Sequence, residues 1–175
     1  MIRYYTKDIR DEFVNLIEDK PTYRYDEKTN QYFVEIQDCH FIADSKYIIK
    51  HNKIIYDDEW YIDHYEPKLT LEQFNENIWK LKNDKYSRQA ILYLGNKDHN
   101  TICTINMQML ISKDNKLNWI VNMRSNNVIK YTTDYKWQNK IFDKACKLLN
   151  IEPGIMYWNA GSMHVYEEDF NLFIK

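Results

Sequence analysis

The chain has 175 residues, with 24 Lys and Arg against 26 Asp and Glu and a formal charge of -2, so no overall positive field exists to hold a nucleic-acid backbone. At this length one domain, residues 1–175, is the expectation, and it is large enough to bury about two-thirds of its unfolded surface. No apolar run reaches membrane-spanning length, the charged N-terminus does not read as a signal peptide, and Cys39, Cys103 and Cys146 fit neither a metal nor a disulfide pattern, which together lead us to expect a reducing cytoplasm and no membrane partner.

In chain order, Phe13, Leu16 and Ile17 share a helical face between Lys7 and Lys20, with acids early and Pro21 just beyond. Gln31 to Ala43 reads as extended structure. A second helix is expected from Leu71 to Lys82, where Phe74, Ile78 and Leu81 align and Thr70 and Gln73 stand at capping-box spacing. Gln89 to Gly95 reads as a short strand. Ile102 to Ser112 and Leu117 to Met123 read as a hairpin about the turn Lys113 to Lys116, and Leu117, Trp119, Val121 and Met123 alternate as a half-buried strand requires. Trp137, Ile141, Ala145 and Leu148 mark a helix from Asp134 to Leu149. Glu152-Pro153-Gly154 is read as a break before two short strands, Ile155 to Trp158 and Met163 to Tyr166. The sum is α+β: a mixed or antiparallel sheet with helices packed on one side.

Taken singly, the chemistry-bearing residues have two readings each. Cys103 in an apolar strand is either a packed core thiol or a nucleophile. Cys39 and Cys146 read as core. Arg124, Ser125 and the following amides stand at a strand end, where they grip a phosphate or simply reach water. Arg88 has the same double reading. His164 and Tyr166 alternate on one strand face, and suit a sugar hydroxyl or a solvated edge. Asp134 stands where a helix begins, so an N-cap is its ordinary role. Glu59, within Asp57-Asp58-Glu59 and before Trp60 and Tyr61, is a solvated acid or, if buried, one with a raised pKa.

The order of these pieces is more informative than any one of them. Thr101-Ile-Cys-Thr-Ile-Asn-Met-Gln108, Val121-Asn-Met-Arg-Ser-Asn-Asn-Val128 and Trp158-Asn-Ala-Gly-Ser-Met-His-Val-Tyr166 resemble the core of the thymidylate synthase superfamily. Within it the likeness is to the phage deoxycytidylate hydroxymethylase branch. Val34-Glu-Ile, Phe41-Ile-Ala-Asp44, Glu59-Trp60-Tyr61 and Asp134-Tyr-Lys-Trp-Gln138 are similar to that branch's early strand, its catalytic-glutamate segment and the stretch carrying an aspartate in place of the synthase asparagine.

The resemblance implies a thymidylate synthase-like fold, a homodimer formed sheet on sheet, and a deoxypyrimidine monophosphate substrate. Cys103 would add to carbon 6 of the base and so activate carbon 5, with methylenetetrahydrofolate as one-carbon donor and no metal. Glu59 would order water and move protons. Asp134 would accept from the cytosine amine, favouring dCMP over dUMP. Arg124, Ser125 and, across the dimer, Arg88 would hold the 5′-phosphate. His164 and Tyr166 would take the 3′-hydroxyl, and Gln108 would support the nucleotide site. The five-residue spacing from Cys103 to Gln108 requires a β-bulge if both are to share a face. The chain between Glu59 and Arg88 is much shorter than in the family, and Asn127 stands where an aspartate binds the pterin. Two functions follow as expectations: a C5 hydroxymethyltransferase of deoxypyrimidine monophosphates, or a folate-independent nucleotide-binding relative serving as sponge or regulator.

Overall fold

The computed structural model describes residues 9–44, 71–94 and 103–174. Among them, α1 (Ile9–Glu18) buries Ile9, Phe13 and Ile17, and a 3-10 turn at Lys20–Thr22 follows it. Strands β1 (Arg24–Asp26) and β2 (Gln31–Ile42) come next, then α2 (Leu71–Asn83), β3 (Ile91–Tyr93), β4 (Thr104–Ile111), β5 (Lys116–Met123) and β6 (Asn126–Asn127). The chain then enters α3 (Tyr131–Leu149), β7 (Glu152–Tyr166) and a last 3-10 segment at Glu167–Leu172.

The strands form one mixed sheet in the order β1-β2-β7-β5-β4-β3, with β6 also beside β7. β7 runs parallel to β5 and β6 and antiparallel to β2. Alternate residues of each long strand join the buried faces of the helices in one core, including Val34, Phe41, Met107, Trp119, Val121, Trp158 and Val165. The opposite sheet face carries half-exposed amides. Asn122 donates to Asn106 at 2.7 Å, Asn159 donates to Asn122 at 2.9 Å, and His40 meets Asn159 at 2.8 Å.

A strand with one buried face should bury every second residue, and a one-residue slip exchanges the faces. Here three strands slip at the same level. Buried positions jump by three from Ile36 to Cys39, from Met123 to Asn126 and from Ala160 to Met163. These six residues are mutual partners across the sheet, since Ile36 faces Met163, Cys39 and Met123 face Ala160, and Asn126 faces Met163. Register therefore survives while the faces are exchanged. In β2 the slip is made by Asp38 in the left-handed region, with φ 52°. In β7 it falls at Gly161, where a Cβ would stand 2.9 Å from the Arg124 carbonyl oxygen. β4 has its own irregularity between Thr104 and Asn106, which is the bulge the Cys103–Gln108 spacing requires.

Two sequence expectations are corrected. The two final short strands are one 15-residue strand. Pro153 and Gly154 sit at its start, where β5 comes so close that a Cβ on Gly154 would lie 2.8 Å from the Leu117 carbonyl oxygen, and Asn118 Oδ1 accepts the Ile155 N–H at 2.9 Å. α3 begins at Tyr131, three residues before Asp134, so Asp134 is not its N-cap. Tyr131 sets that start: it is fully buried against Phe41 and Trp158, and its hydroxyl accepts the Asp44 N–H at 3.1 Å. Gln73 also reaches β3, accepting the Tyr93 N–H at 2.6 Å and donating to the Tyr93 carbonyl at 3.2 Å. Thr70, its expected capping partner, lies outside the described residues.

Gly161→Ala should destabilise the protein by about 1–3 kcal/mol, the usual cost of overpacking, because the added methyl meets strand backbone that cannot rotate away. Urea unfolding measures this, and a midpoint equal to wild type would show that the close approach of β5 and β7 is not required.

Candidate active site

The slip brings together segments far apart in sequence. Cys103 is half-buried at the bend preceding β4, partly packed on the core. Its carbonyl accepts the Arg124 N–H at 2.8 Å. Burial is the main reason its thiol pKa stands above the ordinary value, and the Asp134 charge adds to this, while Arg124 and Lys130 pull the other way. The sulfur thus lies in the field of one carboxylate and two cations, neither sealed in the core nor remote from the guanidinium. Cys39 and Cys146 are buried, with pKa values pushed up by desolvation to about 12 and about 11. They pack as core, as their sequence setting leads one to expect.

Arg124 and Ser125 occupy the slip between β5 and β6, Arg124 exposed and Ser125 half-buried. Ser125 Oγ lies 3.3 Å from His164 Nδ1, hydrogen-bonded with the donor set by the tautomer. The pKa of His164 is lowered to about 4, by burial first, with Lys130 and Arg124 reinforcing it against Glu35 and Asp26. The imidazole is therefore neutral at pH 7. Its ring meets that of Tyr166 edge-on at 5.2 Å, as alternation on one strand face requires. The Tyr166 hydroxyl donates to Asp26 Oδ2 at 2.9 Å, and that bond is the main reason the Asp26 carboxyl pKa is lowered. Burial first, and then Asp26, raises the Tyr166 pKa, with a further contribution from Cys103.

Asp134 is buried in the first turn of α3, and its Oδ2 accepts from Asn126 Nδ2 at 2.6 Å. Asn127 lies next to this pair in sequence, but its Oδ1 accepts the Ile129 N–H at 2.8 Å, closing the turn into α3. Gln108 donates to the Arg88 carbonyl at 2.9 Å. Because Met109 N–H bonds Ala90 O, Arg88 lies toward the Ile111 end of β4, away from Cys103. The described chain thus gathers Cys103, Arg124, Ser125, Asp134, His164 and Tyr166, and leaves Arg88 and Gln108 apart from them. Glu59 lies outside the described residues.

Four neighbours of this cluster were not legible as site residues. Lys130 is a second cation acting on both Cys103 and His164. Glu35 accepts from the Ser162 hydroxyl at 2.6 Å and pairs with Arg24. Asp26 comes from a three-residue strand 140 positions away from Tyr166. Asn126 reads in sequence only as one of several amides after Arg124. Among the described residues no group of three or more His, Cys, Asp or Glu could hold a metal ion, and no helix is long and apolar enough to cross a membrane.

No protein-family model matches the chain. Deoxycytidylate 5-hydroxymethyltransferases of Enterobacteria phages T4 and T2 are 39% identical to it over 97 residues, covering 50% of this chain. The match spans only 39% of those relatives' own length. The thermostable thymidylate synthase A from Bacillus subtilis superposes with a TM-score of 0.64 at 15% identity, over 97% of this chain and 85% of that one. That likeness gives the fold, and the hydroxymethyltransferase match supplies the local sequence. Together they show a thymidylate synthase-like fold carrying, over about half of the chain, sequence similar to phage deoxycytidylate 5-hydroxymethyltransferases.

Proposed function

We propose that the protein is a C5 hydroxymethyltransferase of deoxypyrimidine 5′-monophosphates, with dCMP favoured over dUMP. The observation that carries this reading is the convergence of the Cys103 thiol with the Asp134 carboxylate and the Arg124 and Lys130 cations. The likeness to phage deoxycytidylate 5-hydroxymethyltransferases supports it.

In this reading Arg124 and Ser125 anchor the 5′-phosphate, with Lys130 adding positive charge. Neutral His164 and Tyr166 hold the 3′-hydroxyl. The Cys103 thiolate forms a bond to carbon 6, and the carbon 5–carbon 6 double-bond electrons move toward carbon 5 and the ring's electron-withdrawing end. Because burial and Asp134 hold Cys103 as a thiol, its proton must pass to a base or water as the sulfur–carbon bond forms. Asp134 accepts from the exocyclic amine of cytosine, whereas the oxo group of uracil would leave it facing another acceptor. Arg88 would serve a second copy of the chain in a homodimer formed through the sheet, with Gln108 holding the Arg88 backbone.

Methylenetetrahydrofolate is the one-carbon donor this reading needs. Of the described residues, Asn127 is the one the resemblance assigns to it, yet that side chain lacks the carboxylate and its oxygen is committed to the Ile129 amide. The fit is poor. The same observation favours a second reading, a nucleotide-binding relative that forms the pocket but transfers no carbon unit.

Two outcomes are expected. Incubation with dCMP tritiated at carbon 5 and methylenetetrahydrofolate should release label to water, and Cys103→Ser should abolish it. Undiminished release from the variant removes Cys103 as nucleophile, while tight dCMP binding without release selects the second reading. For His164, the folded pKa of about 4 lies below the unfolded 6.5, so the unfolded chain binds the extra proton as pH falls. Wild type should thus lose up to about 3 kcal/mol relative to His164→Gln between pH 6.5 and about 4. Parallel stability curves for the two proteins would show that the imidazole is not buried neutral.

A further inference from the structure

Asn126 is almost completely buried, at 1% exposure, in a strand of two residues. Its Nδ2 donates to Asp134 Oδ2 at 2.6 Å, and its Oδ1 has no hydrogen-bond partner among the described residues. The amide orientation is fixed by chemistry. An ionised carboxylate only accepts, so the NH2 end must face Asp134 and the oxygen must face away. Asn126 is placed by the sheet itself, because it is the first buried residue after the slip and pairs with Met163 of β7. The carboxylate is therefore approached at Oδ2 by a strand residue, and its charge acts on the Cys103 thiol.

We propose that Asn126 is the positioning residue that decides which hydrogen-bonding character position 134 presents to the base. This deepens the proposed function and rests on it. With a donor at position 126, one acceptor atom of residue 134 is always turned toward the strand. A carboxylate at 134 has a second oxygen, and each carboxylate oxygen accepts more than one hydrogen bond, so it can take one from an amino group at carbon 4 of a pyrimidine. An amide at 134 that keeps Asn126 in its present orientation gives its only oxygen to Asn126 Nδ2, and so presents its NH2, which suits a carbon 4 oxo group. The preference for cytosine or uracil is consequently a property of the pair, not of residue 134 alone.

The pair logic makes a reversal test possible. In the double variant Asn126→Asp with Asp134→Asn, the donor and acceptor exchange places. The carboxylate now at position 126 accepts from the amide NH2 at position 134. The charge count is unchanged, and the amide oxygen at position 134 is turned to the base. Calorimetric binding of dCMP and dUMP to the whole protein provides the readout, with deoxyribose 5-phosphate as a probe that lacks the base. Asp134→Asn alone should favour dUMP by about tenfold or more, and the exchanged pair should restore a preference for dCMP of similar size. In Asn126→Ala the dCMP preference should shrink toward unity with deoxyribose 5-phosphate affinity unchanged, and this holds the proposal to account even if the exchanged pair does not fold. An exchanged pair that still favours dUMP, or an Asn126→Ala protein that discriminates as wild type does, overturns the proposal while leaving the nucleotide site standing. Wild type that binds neither nucleotide overturns the proposed function and this inference with it.

Discussion

The site depends on a fault in the sheet that three strands share. Had β2, β7 and the β5–β6 line each kept strict alternation, the residues after the slip would face the wrong side. Asn126, Met163 and Val165 would then leave the core, and His164 and Tyr166 would enter it. Because the slips are in register, the core continues through them. The side chains at the fault, Arg124 and Ser125, belong to neither regular alternation. Different chemistry makes the same slip in each strand: a left-handed Asp38 in β2, and in β7 a glycine without the Cβ that would strike the Arg124 backbone.

That geometry sets the electrostatics. A thiol next to a buried carboxylate is a poor nucleophile, since burial and the Asp134 charge both disfavour the thiolate. Arg124 and Lys130 act against them, and the same two cations help keep His164 neutral. The cluster is thus a balance of opposed charges in a partly dry place, where each ion is felt more strongly than in water. The overall charge of -2 gives no hint of it. Among the described residues, the positive field on the thiol comes from two side chains, Arg124 and Lys130.

Much of the architecture was legible where one physical rule acted alone. β5 buries Leu117, Trp119, Val121 and Met123 in strict alternation, and the sequence shows that period directly. The bulge in β4 was implied by the odd spacing between Cys103 and Gln108. Legibility failed where tertiary contacts override local signals. Glu152-Pro153-Gly154 reads as a break and Gly161 falls between two expected short strands, yet all lie in one continuous strand, because each glycine answers a neighbour's backbone that is invisible in one dimension. Asp134 reads as a cap because Tyr131, pinned under Phe41 and Trp158, starts the helix early for reasons lying elsewhere in the chain. Cys103, Arg124, His164 and Tyr166 were singled out as candidates through the order of their motifs, whereas Asp26, Glu35 and Lys130 carry no motif and join them only through the fold.

The central claim is spatial: the Cys103 sulfur and the Arg124 guanidinium serve the two ends of one nucleotide. A crystal structure of the protein with dCMP bound tests it most directly. The account predicts the phosphate on Arg124 and carbon 6 of the base about 3–3.5 Å from the sulfur, the separation of a near-attack geometry. A nucleotide bound away from Arg124, or bound there with its ring out of the thiol's reach, would contradict it.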